Sequence, residues 1–114
     1  MNSIQWKSLT TSEDLEQAVA ESLKRNVVLF KHSTRCSVSF MAKKTLELNW
    51  NLDPAKTSIY FLDLIRHRDI SNIIAQKFNI AHESPQLILL KNEKVVYHAS
   101  HNEISVDELQ TQLA

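Results

Sequence analysis

The chain has 114 residues, of which 43% are hydrophobic and 23% are charged, and this suits one domain, residues 1–114, of ordinary globular composition. Lysine plus arginine equals aspartate plus glutamate, at 13 each, and this balance argues against nucleic acid or an anionic membrane as the main partner. Glycine is absent, which excludes the glycine-dependent phosphate loops of nucleotide-binding proteins.

The expected compartment follows from the termini and the cysteine count. No apolar run approaches the length of a transmembrane helix, and residues 1–5 lack the basic and apolar regions of a signal peptide. The single cysteine cannot form an internal disulfide. We therefore expect a cytoplasmic protein, since thiols stay reduced in that compartment.

The first half of the chain alternates strand and helix patterns. Residues 4–9 alternate apolar and polar, which indicates a strand, and Thr11 with the acids after it opens a helix whose apolar stripe is Leu15, Val19 and Leu23. Residues 27–30 form a short apolar run typical of a buried strand. A second helix is predicted over residues 38–52. Its predicted apolar side consists of Val38, Met41, Ala42, Thr45, Leu48 and Leu52.

The second half continues the pattern and adds a hairpin. Residues 58–64 and 86–91 are buried-strand candidates, and residues 70–78 have helical spacing with Asn79 as the C-terminal cap. Asn92 supplies the turn to a strand at residues 95–99, and Ser105 caps a last helix. The order β-α-β-α-β-α-β-β-α predicts an α/β fold with a central mixed sheet flanked by helices.

The stretch of greatest chemical interest surrounds the only cysteine, Cys36. It lies between the buried strand at residues 27–30 and the second helix. Unpaired N–H groups and the positive end of the helix dipole favour a thiolate at such a position. Lys31, His32 and Arg35 are expected to add positive charge nearby. A small buried hydrophobe is the alternative interpretation of a free cysteine.

Ser39 lies three residues after Cys36, on the same helix face. A dithiol oxidoreductase of the C-x-x-C type would carry its second sulfur there. A hydroxyl can donate a hydrogen bond to a thiolate but cannot resolve a disulfide. The spacing therefore favours one-cysteine chemistry if Cys36 is reactive.

No metal site is predicted. One cysteine and five scattered histidines show no zinc-ligand spacing. His98 and His101 stand three apart at the end of a predicted strand, and we interpret them as solvated polar residues.

The segments K-H-S-T-R-C-S-V-S-F-M-A and H-E-S-P-Q resemble the two signature segments of the monothiol bacilliredoxins, a family of bacillithiol-system YtxJ-like proteins of thioredoxin fold. The resemblance covers nearly the whole chain. It implies that Cys36 is the reactive thiol and that Thr34 and Ser39 are its flanking polar positions. Together with Arg35, whose charge is expected nearby, these two residues are predicted to support the thiolate. It further implies that the Ser84–Pro85 bond is cis and that Ser84 and Pro85 bind an extended substrate beside the sulfur. The family usually has proline directly after the cysteine, where this chain has Ser37.

The resemblance implies a cytoplasmic monothiol thiol-disulfide oxidoreductase with no bound cofactor. Its partners would be S-thiolated client proteins and a low-molecular-weight thiol such as bacillithiol, with no nucleic acid and no membrane. Two alternatives stay open: a thioredoxin-like protein-binding module with an incidental cysteine, and a glutaredoxin-like carrier of an iron–sulfur cluster. The C-G-F-S motif of the cluster carriers is absent, which weakens the latter.

Overall fold

A computed structural model of the chain describes residues 3–113. The predicted order of strands and helices is confirmed, with a short 3₁₀ turn, His101–Glu103, added before the last helix. No helix in the described part is long and apolar enough to cross a bilayer. The strands are β1 (Trp6–Ser8), β2 (Asn26–His32), β3 (Thr57–Asp63), β4 (Gln86–Lys91) and β5 (Lys94–Ser100). The helices are α1 (Ser12–Glu21), α2 (Ser37–Asn49), α3 (Arg68–Phe78) and α4 (Val106–Leu113).

The five strands form one mixed sheet in the order β1-β3-β2-β4-β5. β2 lies at its centre, parallel to β3 and antiparallel to β4. Alternate residues of β2 face opposite layers: Leu29 packs in a cluster with α1 and α3, whereas Val28 and Phe30 pack in a cluster with α2 and α4. Burial on both faces explains why β2 reads as a continuous apolar run rather than an alternating one.

Asparagine takes the place of glycine at two tight turns. Asn79 ends α3 in the left-handed conformation at φ 52°, and Asn92 has the same φ in the β4–β5 turn. Asparagine tolerates this region better than most residues, so both predicted turn positions are confirmed. The next residue, Glu93, is also left-handed at φ 65°, and its N–H donates to Ser22 Oγ at 2.8 Å.

The apolar faces predicted for α1 and α2 are partly wrong. Leu23 falls beyond the end of α1 and is 58% exposed. In α2, which ends at Asn49 rather than at Leu52, Ala42 is buried as predicted, but the side chains of Val38, Met41 and Leu48 are exposed. Ser39 and Leu46 are buried in their place. The helix is rotated by about one residue from the predicted orientation because it buries the hydroxyl of Ser39, which a count of apolar residues cannot anticipate.

Two leucines of α2 test this orientation. Leu46→Ala should lower the free energy of unfolding by about 2–5 kcal/mol, because Leu46 is fully buried and the truncation leaves a cavity. Leu48→Ala is the matched control: its side chain is 69% exposed, and the change should stay within about 0.5 kcal/mol. Chemical denaturation of both variants measures the difference, and equal losses would contradict the orientation.

Candidate thiol site

Cys36 occupies the N-cap of α2 and has an extended backbone, with φ −117° and ψ 121°. Its carbonyl accepts the N–H of Phe40 at 3.0 Å, and its own N–H donates to Ser33 O at 3.2 Å. The thiol is partly buried, and no side chain caps the first turn of the helix. The first N–H groups of this 13-residue helix therefore have no side-chain acceptor, and Cys36 occupies the position whose side chain normally supplies one.

The hydroxyl of Ser39 is engaged with β2. Ser39 is fully buried, and its Oγ accepts the N–H of Ser33 at 2.9 Å and lies 2.7 Å from His32 Nδ1. Within residues 3–113 no hydrogen bond joins Ser39 to Cys36. The predicted bond from Ser39 to the sulfur is thus not formed in this structure, and the hydroxyl instead fixes the start of α2 to the end of the central strand.

His32 differs from the expected cationic neighbour of the thiol. Its ring is buried between the rings of Phe30 and Phe61, at centroid distances of 6.0 and 5.4 Å. Burial lowers the pKa of His32, and the charge of Lys43 on α2 lowers it further, against the opposing effect of Asp63. The imidazole is therefore neutral near neutral pH and acts through its hydrogen bond rather than its charge.

Lys31 points to the other face of the sheet. Its side chain is fully buried, and its Nζ donates to Ser71 O of α3 at 3.3 Å and lies 3.4 Å from His82 Nδ1. Burial lowers the pKa of Lys31 to about 8. The expectation that Lys31 places its charge beside the thiol is wrong, because successive residues of a strand face opposite sides and α2 lies on the other one.

Thr34 and Arg35 form the exposed turn between β2 and α2. The N–H of Arg35 donates to Ser33 Oγ at 3.4 Å. In the described part of the chain neither side chain makes a hydrogen bond to Cys36, so their support of the thiolate stays a prediction.

The Ser84–Pro85 bond is cis, as the resemblance implies. Lys31 of β2 pairs with Gln86 of β4, and one further step along this antiparallel register places Pro85 opposite His32. The buried Pro85 therefore lies next to the strand end that leads to the cysteine. Ser84 Oγ is buried without a hydrogen-bond partner in the described structure, and the substrate-binding role of Ser84 and Pro85 stays a prediction.

Sequence reasoning identified Cys36 and Ser39 but missed what His32 does. A histidine at the end of a buried strand, seven residues before a serine, is too common a pattern to indicate a hydrogen bond. Within residues 3–113, no group of three or more histidine, cysteine, aspartate or glutamate side chains is arranged to hold a metal ion.

The comparison with known families identifies the chain. The model of a family described as monothiol bacilliredoxin BrxC matches residues 7–109. The chain belongs to the BrxC family of monothiol bacilliredoxins. Family and fold together support a thiol oxidoreductase, and the single cysteine of this family member fits the monothiol class.

Solved structures place this BrxC family member in the thioredoxin fold. A thioredoxin-fold protein described as a candidate oxidoreductase is 29% identical, with a TM-score of 0.79 over 96% of this chain and 94% of that one. Fasciola hepatica thioredoxin is 21% identical, with a TM-score of 0.72 over 93% and 97%. Malassezia sympodialis thioredoxin is 16% identical, with a TM-score of 0.71 over 96% and 88%. The last two likenesses concern the fold alone.

Replacing Lys31 should change how stability depends on pH. The pKa of Lys31 is about 8 in the folded chain and about 10.4 in an unfolded one, so between these values the unfolded state binds the extra proton. Stability should therefore rise with pH across this window, by about 3 kcal/mol from this group. In Lys31→Met, which keeps an unbranched buried stem, the rise should be missing. Denaturation at pH 7 to 10.5 measures the difference, and parallel curves for the two proteins would contradict the prediction.

Ser37→Pro, which restores the residue usual in the family, should stabilise the chain by about 0.5–1 kcal/mol. Ser37 is the first residue of α2, where the helix makes no use of the N–H that proline lacks. Cys36 already has the extended conformation that a residue before proline requires. Chemical denaturation against the control Ser37→Ala checks this, and a proline variant less stable than the alanine one would show that the turn resists the ring.

Proposed function

We propose that this chain is a monothiol oxidoreductase that removes a low-molecular-weight thiol from S-thiolated client proteins through Cys36. The observation that carries the proposal is the position of the only cysteine, at the N-cap of α2 and partly exposed, next to the strand end beside Pro85. The chemistry needs one reactive sulfur and an exchange partner, and it fits the reducing cytoplasm.

The first step is an attack by the Cys36 thiolate on the sulfur of the small thiol within the mixed disulfide. A bond forms between Cys36 and the small thiol while the bond to the client breaks. The electron pair of the broken bond leaves on the client sulfur, which takes a proton from water. The client is thereby reduced, and Cys36 holds the small thiol as an adduct.

The second step restores Cys36. An external low-molecular-weight thiol, of the bacillithiol type that the family suggests, attacks the sulfur of the adduct as its thiolate. The products are a small-molecule disulfide and the Cys36 thiolate, so the external thiol supplies the two electrons that the client gained. Ser39 has no sulfur with which to replace this step from within the chain.

The surface around the cysteine supports protein clients rather than small disulfides alone. Val38, Phe40 and Met41 are exposed within five residues of Cys36, on the first turns of α2. Exposed apolar side chains clustered in this way are typical of a surface that contacts another protein. Ser84 and Pro85, on the other side of the β2 end, would bind an extended client segment by backbone pairing.

Intact mass during incubation with a low-molecular-weight disulfide tests the mechanism. The wild type should gain one adduct, on Cys36, that persists until an external thiol is added, and Cys36→Ser should gain none. In Ser39→Cys the second sulfur should attack Cys36 and expel the small thiol as a free thiol, leaving an internal disulfide of the C-x-x-C type in the protein.

A client substrate completes the test. A model protein that carries one mixed disulfide should lose its small thiol in the presence of the wild type and excess small thiol. The rate should be well above that with Cys36→Ser. The transfer mechanism would be excluded if the wild type lost its adduct without an external thiol. It would also be excluded if the wild type never acquired an adduct and never reduced the client. The binding-module interpretation would then replace it.

A further inference from the structure

The loop between α3 and β4 carries Ser84 and Pro85, and its middle has no backbone partners. Within the described residues 3–113, residues 81–84 neither donate nor accept a hydrogen bond between backbone groups. Their backbone groups are therefore free to pair with an extended client segment. Such a loop is ordered mainly by its side-chain contacts, so these contacts decide how well Ser84 and Pro85 are placed.

Two contacts flank His82 in this loop without involving it. On one side, Gln86 Nε2 donates to Ala81 O at 3.1 Å. On the other, Glu83 lies 3.3 Å from His101, but both side chains are about half exposed, and exposed ion pairs contribute little. The residue between these contacts needs a partner of its own.

His82 is held from the interior of the protein by Lys31. Lys31 is fully buried, and its Nζ lies 3.4 Å from His82 Nδ1 and donates to Ser71 O of α3 at 3.3 Å. Ser71 Oγ lies 3.2 Å from the same Nδ1. An ammonium has no lone pair, so the contact with Lys31 is a hydrogen bond only when Nδ1 is unprotonated. The ammonium thereby links α3 to the middle of the loop, two residues before Ser84.

The charges around His82 keep Nδ1 unprotonated near neutral pH. Burial lowers the pKa of His82, and the positive charges of Lys31 and Arg68 lower it further, against the opposing effect of Glu83. A protonated ring would face the ammonium of Lys31 directly, and like charges at this distance repel. The neutral imidazole with its proton on Nε2 is therefore the form that accepts from Lys31.

We propose that Lys31 is a positioning residue that places Ser84 and Pro85 for a protein client by holding His82. The backbone of Lys31 also pairs with Gln86, so this one residue holds the chain on both sides of Ser84 and Pro85. An ordered client-binding loop is what the costly burial of an ammonium then provides. The inference rests on the proposed function, because the positioning takes effect only when a client pairs with the loop.

Lys31→Met is the primary test, because methionine keeps an unbranched buried stem and removes the hydrogen bond. The KM for a client peptide that carries a mixed disulfide should rise about fivefold at unchanged kcat, since losing one hydrogen bond lowers the population of the placed loop by about that factor. The rate of adduct formation with cystine should stay within about twofold, because a small disulfide needs Cys36 but not the loop. The variant loses a charge that is costly to bury, so unfolding would not explain a rise in KM.

His82 supplies the matched variants. His82→Ala removes the partner of Lys31 and should raise the client KM as much as Lys31→Met does, and the double variant should be no worse than either. His82→Asn keeps a side-chain acceptor near the position of Nδ1 and should keep the wild-type KM. Ser22→Ala is the control: it removes a buried hydroxyl that accepts the N–H of Glu93 at 2.8 Å and so anchors a different loop. It should lower stability without changing the KM.

NMR titration of the His82 imidazole needs no client. Lys31→Met should raise the pKa of His82 toward its usual value, because the ammonium that opposes a charge on the ring is gone. A pKa of His82 that stays at the wild-type value would overturn the proposal, and so would an unchanged client KM or additive effects of Lys31→Met and His82→Ala. A wild type that does not reduce the client at all would refute the proposed function instead, and the pKa of His82 would still decide whether Lys31 holds the loop.

Discussion

The hydrogen bonds of the buried Ser39 hydroxyl join the central strand to the helix that carries the cysteine. They run to the last residue of β2, His32, and to the backbone of the next residue, Ser33. Because an unpaired buried hydroxyl is costly, this requirement sets the rotation of α2 and with it the exposed apolar residues near its start. Ser33 also closes the turn that places Cys36 at the N-cap, because its carbonyl accepts the N–H of Cys36. The residue that binds the Ser39 hydroxyl therefore also positions the cysteine.

The end of β2 organises two separate polar clusters. His32 faces α2, whereas Lys31 faces α3. Lys31 contacts Ser71 of α3 and His82 of the loop that leads to Ser84 and Pro85. One strand end thus holds both segments that make up the proposed site. The division follows from the alternation of side chains along a strand, so neighbouring residues in sequence have unrelated chemistry here. A buried ammonium without a carboxylate partner in the described structure is costly, and the lowered pKa of Lys31 is the response.

The strand and helix order could be read from the sequence because apolar runs, caps and turn residues all agree on it. Asn79 and Asn92 are examples, since the absence of glycine leaves few residues suited to a left-handed turn. The face of α2 could not be read, because its buried residue at the first turn is a serine, and hydrophobic spacing selects Val38 and Met41 instead. Cys36 was found from its position between a buried strand and a helix, and the cis bond at Pro85 through the signature segments. The contact between His32 and Ser39 depends on tertiary packing that no local pattern encodes.

A monothiol transfer enzyme has opposing requirements at its sulfur. A more stable thiolate is more abundant and leaves more readily when the small thiol is removed, but each thiolate attacks more slowly. In a dithiol oxidoreductase the second cysteine both stabilises the first and resolves its disulfide, so the two roles cannot be separated. Ser39 keeps a hydroxyl at that position without the resolving chemistry, and this hydroxyl lies 2.7 Å from His32 Nδ1 and makes no hydrogen bond to the sulfur in the described structure. The serine therefore contributes to the packing of α2 on β2 and not to the resolution of a disulfide, so an adduct on Cys36 needs an exchange partner from outside the chain.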